Sequence, residues 1–157
     1  MSEAMDDETR MKIEECTRDQ YNSELWKTMR IGRITASNLK KVASTRIDKP
    51  SVAILKLICY PDMTYFSTQA TRYGKAKEKN GFKMVEKHAY YFQTQMQIAV
   101  TEARYGYFYV WTKNENLLIT VPKNDSFWNK NKHKANVFFK AVILPELLSQ
   151  YYTKRTN

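Results

Sequence analysis

One stretch constrains the fold of this chain more than any other. Residues Tyr105 to Thr112 read Tyr-Gly-Tyr-Phe-Tyr-Val-Trp-Thr, a run of aromatic and β-branched side chains suited to a pleated sheet. Lys113-Asn114-Glu115-Asn116 supplies a turn, and Leu117 to Val121 returns as a second strand. Because large apolar groups occupy both faces of the first strand, it is expected to be buried on both sides. A two-stranded ribbon is marginal in water unless something packs on it. The remaining residues must therefore cover it, and their pattern is helical.

Leu25, Trp26 and Met29 form one apolar stripe on a helix starting near Asn22. Gly32 allows a turn within Met29–Ser37, and Thr35 stands as the N-cap of a helix from Asn38 to Ala43. Pro50 opens a further helix that runs to Tyr60 and stops at Pro61-Asp62. A longer helical stretch is expected from Thr68 past Glu78, interrupted near Asn80-Gly81 and resumed through Val85, Tyr90 and Gln93 to about Val100. The last helix begins near Asp125 or Ser126 and carries Phe138, Val142, Ile143 and Leu147 on its apolar face. Pro145 should kink it rather than end it. The outline is a helix-rich α+β domain over residues 21–157 with one β-hairpin, preceded by an acidic tail over residues 1–20 that is a weak helix or frayed. At 157 residues the chain is one domain, able to bury about two thirds of its unfolded surface.

Charge separates along the chain. Residues 1–19 hold seven of the 16 acids and only three of the 26 bases, so the remainder carries 23 bases against nine acids. A surplus of this size is the footprint of a polyanion binder, since each phosphate contact releases condensed counterions. A basic helical module that contacts acidic protein partners has the same composition and stands as an alternative. The two cysteines, Cys16 and Cys59, with only two histidines make neither a disulfide framework nor a zinc site; reduced thiols in an intracellular protein are expected. The N-terminus is acidic and polar, unlike a secretory signal, and no apolar run approaches membrane length.

Three clusters are candidates for chemistry. The first is Trp26 with Arg30-Ile31-Gly32-Arg33-Ile34-Thr35-Ala36-Ser37, where two guanidinium groups and two hydroxyls at a helix start suit an anion; an ordinary capped helix with surface arginines reads the same way. The second is Tyr73-Gly74-Lys75-Ala76-Lys77-Glu78, a carboxylate among lysines that is either a metal ligand beside a phosphodiester or a solvated charge pair. The third is Tyr90-Tyr91-Phe92-Gln93-Thr94-Gln95-Met96-Gln97, in which Gln93 and Gln97 share a helix face and Gln95 lies opposite. A partly exposed amphipathic helix is the plain reading of that stretch.

Taken in order, these motifs and the aromatic strand resemble the YqaJ viral recombinase family, which is similar to the phage lambda exonuclease and belongs to the PD-(D/E)xK nuclease superfamily. The resemblance spans Leu25 to Tyr151, including the closing Ile-Leu-Pro-Glu-Leu-Leu at Ile143–Leu148. It implies an incomplete restriction-endonuclease-like domain that takes linear duplex DNA ends. Arg30 and Ser37 match the positions holding the 5′-terminal phosphate, with Arg33 and Thr35 beside them. Glu78 matches a helical carboxylate that helps ligate Mg²⁺, and Gln93 matches the active-site glutamine. In such enzymes two carboxylates hold Mg²⁺, which polarises the phosphodiester, while a lysine activates or orients the attacking water.

Here the pattern breaks. The family carries several dozen residues between the Glu and Gln motifs, with an Asp and a Glu-x-Lys on adjacent strands. In this chain Glu78 and Gln93 are 15 positions apart, and no Asp or Glu is followed two positions later by Lys. One weak ligand without its partners implies that Mg²⁺ is not functionally bound and that the chain grips DNA without cutting it. The alternative is a spliced or gene-model product whose longer sibling is an active 5′→3′ exonuclease. The direct run of Lys79-Asn80-Gly81 into an intact Gln motif favours that origin. Loss of the central strands would uncover the ribbon and promote self-association.

Overall fold

The computed structural model describes residues 6–61, 75–78, 81–111 and 116–154. In chain order the elements are α1 (Asp7–Thr17), a 3₁₀ turn (Gln20–Asn22), α2 (Glu24–Thr28), α3 (Leu39–Ser44), α4 (Val52–Cys59), β1 (Lys75–Glu78), β2 (Gly81–Met84), α5 (Ala89–Val100), β3 (Tyr105–Trp111), β4 (Asn116–Pro122), α6 (Asp125–Phe138), a π-helical segment (Phe139–Ile143) and α7 (Leu144–Ser149). The fold is helix-rich α+β.

The acidic N-terminal segment forms a capped helix. Asp6 accepts from the Thr9 amide at 2.8 Å, and Asp7 and Glu8 oppose the helix dipole in the first turn. Surface ion pairs Glu8–Lys12 and Glu14–Arg18 add little, and α1 buries no residue. Two hydrophobic clusters hold the rest together. The first joins Val42 of α3 and Ile54, Leu55 and Ile58 of α4 to Phe138, Val142 and Ile143 of the last helix. The second joins Met84, Tyr91 and Ile98 to Ile119 and Val121 of β4, with Phe127 of α6 packed against it.

Pro145 does not end the last helix, which continues through a π-helical turn just before it. Proline lacks the N–H that would bond the Ala141 carbonyl four residues back. The Tyr152 hydroxyl donates to that carbonyl instead, at 3.1 Å.

Three expectations are corrected. Residues 75–78 are a strand rather than a helix: β1 pairs antiparallel with β2, Glu78 opposite Gly81. Gly81 costs a helix about 1 kcal/mol, and Phe82-Lys83-Met84 alternates with a period of two, which leaves Met84 buried. The expected helix over residues 68–74 lies outside the described residues, and α5 begins only at Ala89. Thr35 is not the cap of α3; Asn38 is. Thirdly, β3 is buried on one face alone. Phe108 and Val110 face α5, and Gly106 lets that helix approach, since a Cβ there would meet Thr94 and Ile98 at 3.1–3.2 Å. Tyr105, Tyr107, Tyr109 and Trp111 stand exposed on the other side.

Candidate phosphate site

Helix α2 starts where Ser23 accepts from the Trp26 amide, and it carries Trp26 and Arg30 into a turn. Gly32 makes that turn possible. Its φ of +72° is a left-handed conformation that glycine takes without a Cβ penalty. Its amide donates to the Ile58 carbonyl at 2.8 Å, tying the turn to the end of α4. Leu147 of α7 packs directly over it, and a Cβ at this position would come within 2.7 Å of the Leu147 Cδ1.

Arg30 is held from both sides. Its guanidinium carbon lies 4.3 Å from the Trp26 ring centroid, a cation–π contact. Its Nη2 donates to the Thr35 Oγ1 at 3.2 Å and, more weakly, to the Ser37 Oγ at 3.5 Å, while those hydroxyls are 3.1 Å apart. The Thr35 hydroxyl therefore serves the arginine instead of a helix amide, whereas the Thr35 carbonyl accepts from the Asn38 and Leu39 amides. Burial lowers the Arg30 pKa from its ordinary value, yet a guanidinium stays charged in proteins.

These groups open into a pocket of about 230 Å³ lined by Arg30, Arg33, Thr35, Ser37, Asn38, Lys41 and Leu57. Three bases and two hydroxyls face it, and among the described residues no carboxylate lines it. The space is below the roughly 300–1,000 Å³ typical of drug-sized ligands and suits a compact anion. Arg30, Arg33, Thr35 and Ser37 are thus brought together as expected. Asn38 and Lys41 were missed; their spacing of three on one helix edge is the signal that places them beside Ser37. Asn38 is 6% exposed, and its Oδ1 has no hydrogen-bond partner.

The other candidate residues are arranged differently. Glu78 sits on β1, and its carboxylate lies outside the described side chains. Gln93 is half-buried on α5 and Gln97 exposed, whereas Gln95 is 1% exposed and makes the connection. Its Nε2 donates to the Pro122 carbonyl at 2.7 Å, and its Oε1 accepts from the Asn124 amide at 2.9 Å. This glutamine fastens α5 to the joint between β4 and α6.

A family model for viral alkaline exonucleases matches residues 1–87, more than half of the chain. The chain belongs to the viral alkaline exonuclease family. This bears out the nuclease family expected from the motifs, and the matched residues of the viral alkaline exonuclease model contain the whole pocket and Glu78. Gln93, the β3–β4 ribbon and the closing helix follow after the matched residues. No curated protein and no solved structure matches the chain. Nucleases of this kind are typically Mg²⁺-dependent and need converging oxygen ligands. Among the described residues of this viral alkaline exonuclease relative, no three His, Cys, Asp or Glu side chains converge, and the Glu78 carboxylate is not among the side chains described. No described helix is long and apolar enough to cross a membrane.

Proposed function

We propose that the chain binds the ends of linear duplex DNA through the Arg30 pocket and does not cleave them. The observation that carries this reading is the Arg30–Thr35–Ser37 cluster at the wall of a small pocket with two further bases and no acid. In this reading Arg30 and Ser37 hold the terminal phosphate, and Arg33 and Thr35 complete its surroundings. A terminal phosphomonoester carries up to twice the charge of an internal diester, which favours ends over interior sites. Glu78 and Gln93 are remnants of a catalytic site, because cleavage would need a second carboxylate and a lysine that the sequence does not pair with an acid.

The test compares duplexes bearing a 5′-phosphate or a 5′-hydroxyl. Wild type should prefer the phosphate, and Arg30→Ala should lose that preference by about tenfold or more, one charge-assisted contact being worth about 1.5–3 kcal/mol. Equal losses on both ends would refute the pocket assignment. In Mg²⁺ or Mn²⁺ no nucleotides should be released from linear duplex; release abolished by Glu78→Ala would refute inactivity. Raising salt from about 50 to 200 mM should weaken binding roughly 10³-fold if six phosphates are contacted, unlike an interface with a protein partner. The short passage from Glu78 into the intact Gln motif supports a second reading of origin, a shortened product of an active exonuclease. The outer edge of the two-stranded β3–β4 ribbon also favours self-association at high concentration.

A further inference from the structure

The exposed face of the β3–β4 ribbon is chemically distinct from the rest of the surface. Tyr105, Tyr107, Tyr109 and Trp111 occupy alternate positions of β3 and are 50%, 61%, 57% and 65% exposed. Residues two apart on a strand repeat every ~6.8 Å, so the four rings form a rail about 20 Å long. The residues paired opposite them are Pro122, Thr120, Leu118 and Asn116, which are smaller and uncharged. The rings therefore stand above a lower shelf, and among the described residues of β3 and β4 this face carries no acid. Tyr105 and Tyr107 lean edge-on against each other with centroids 5.3 Å apart. At the foot of the rail Lys123 donates its amide to the Arg104 carbonyl, placing two basic residues side by side, with the Lys123 ammonium 2.9 Å from Asp125.

We propose that this rail is a binding platform for single-stranded nucleic acid, which lays successive unpaired bases on the rings of Tyr107, Tyr109 and Trp111. The backbone repeat of ~6.8 Å and the 5.3 Å between the Tyr105 and Tyr107 centroids both exceed the 3.4 Å rise per nucleotide of one strand in duplex DNA. A strand that follows it must be unstacked, so that each base trades a neighbouring base for a protein ring. A duplex cannot stretch in this way without losing its pairing. The sign of the protein supports the same partner: the net charge of +10 attracts a polyanion. Tyrosine and tryptophan combine a stacking face with a polar edge, so they tolerate exposure between binding events. The platform lies outside the phosphate pocket and needs neither that pocket nor cleavage.

The test is fluorescence anisotropy of the full chain with a labelled 15-nucleotide oligo(dT) lacking a 5′-phosphate. Base–ring stacking predicts about tenfold weaker binding for each ring removed, so Tyr109→Ser with Trp111→Ser should lose about a hundredfold. Tyr109→Phe with Trp111→Phe keeps the rings and should bind within a few-fold of wild type. Far-ultraviolet circular dichroism should be the same for all three proteins. Arg30→Ala should leave oligo(dT) binding intact while abolishing 5′-phosphate preference on duplex, which separates the two sites. Unchanged oligo(dT) affinity in the double serine variant overturns the proposal. So does a concentration-dependent dimer that strengthens with salt and disappears in that variant, since the face would then be occupied by a second copy.

Discussion

Glu146→Gln replaces a single oxygen in the anchor of the closing helix. Glu146 is 0% exposed and accepts four hydrogen bonds. Oε1 takes the Tyr60 hydroxyl at 2.8 Å and the Thr153 hydroxyl at 2.5 Å; Oε2 takes the Tyr152 amide at 2.9 Å and the Thr153 amide at 3.4 Å. Burial alone would raise this carboxyl, and the donors Thr153, Tyr152 and Tyr60 outweigh it, so it is held below the ordinary value of 4.5. A glutamine keeps its oxygen toward the amides and turns its NH₂ toward two hydroxyls, which can rotate to accept. What is lost is charge assistance, about 1 kcal/mol for each of two or three bonds. A penalty of about 2–3 kcal/mol at pH 7 lowers the melting temperature by about 5–10 °C in a chain of this size.

Because the folded pKa lies below the unfolded one, the carboxylate's contribution is complete above pH 4.5 and is lost as pH falls through the lower folded value. Thermal melts of wild type and Glu146→Gln should therefore differ at pH 7 and converge toward pH 3. A gap that persists undiminished at pH 3 would show that packing, rather than charge, makes the difference. The anchor also bears on the candidate phosphate site, because the neighbouring Leu147 covers Gly32.

Gly32→Ala should cost about 1–2 kcal/mol for the left-handed backbone alone, and more from the contact with Leu147, measured by urea unfolding. Adding Leu147→Ala should relieve the steric part and leave the backbone part. Of the two thiols, Cys16 is exposed, whereas Cys59 is buried, with burial and the nearby Glu146 pushing its pKa up to about 11. Native protein should thus take up one equivalent of a thiol reagent at pH 8 and the second only on unfolding; rapid labelling of both would refute the packing of α4.

The sequence made the β3–β4 ribbon legible because its side chains fit no other period, and the observed register extends only one residue past the expected second strand at each end. It also made the end of α4 and the start of α6 legible, through Pro61 and Asp125. The β1 strand was not, since Lys75-Ala76-Lys77-Glu78 has good helix propensity and only its pairing with Gly81–Met84 decides otherwise. Exposure of the Tyr105–Trp111 rings was legible in part: aromatic identity signals a strand without saying how many layers cover it, whereas the missing central strands point to one uncovered face without saying which. In the pocket, Arg30, Thr35 and Ser37 were readable from their spacing, but the helix cap expected at Thr35 is Asn38. Both residue types cap helices well, and one sequence cannot show which of them the turn at Gly32 delivers to the helix end. Gln95 lies opposite Gln93 and Gln97, and that geometry is what turns it inward to Pro122 and Asn124.

The two hydrophobic clusters share no residue, and α6 reaches both, with Phe127 against one and Phe138 inside the other. Amide hydrogen exchange is expected to resolve different opening free energies for the two clusters. The ribbon and α5 rest on the cluster around Met84 and Ile119, while the phosphate turn rests on Ile58, Leu147 and the end of α4. Helix α3, which carries Lys41 of the pocket, packs against both α5 and α6, so the two halves meet there. Opening of the aromatic strand is therefore felt at the candidate pocket through α3, as well as through α6.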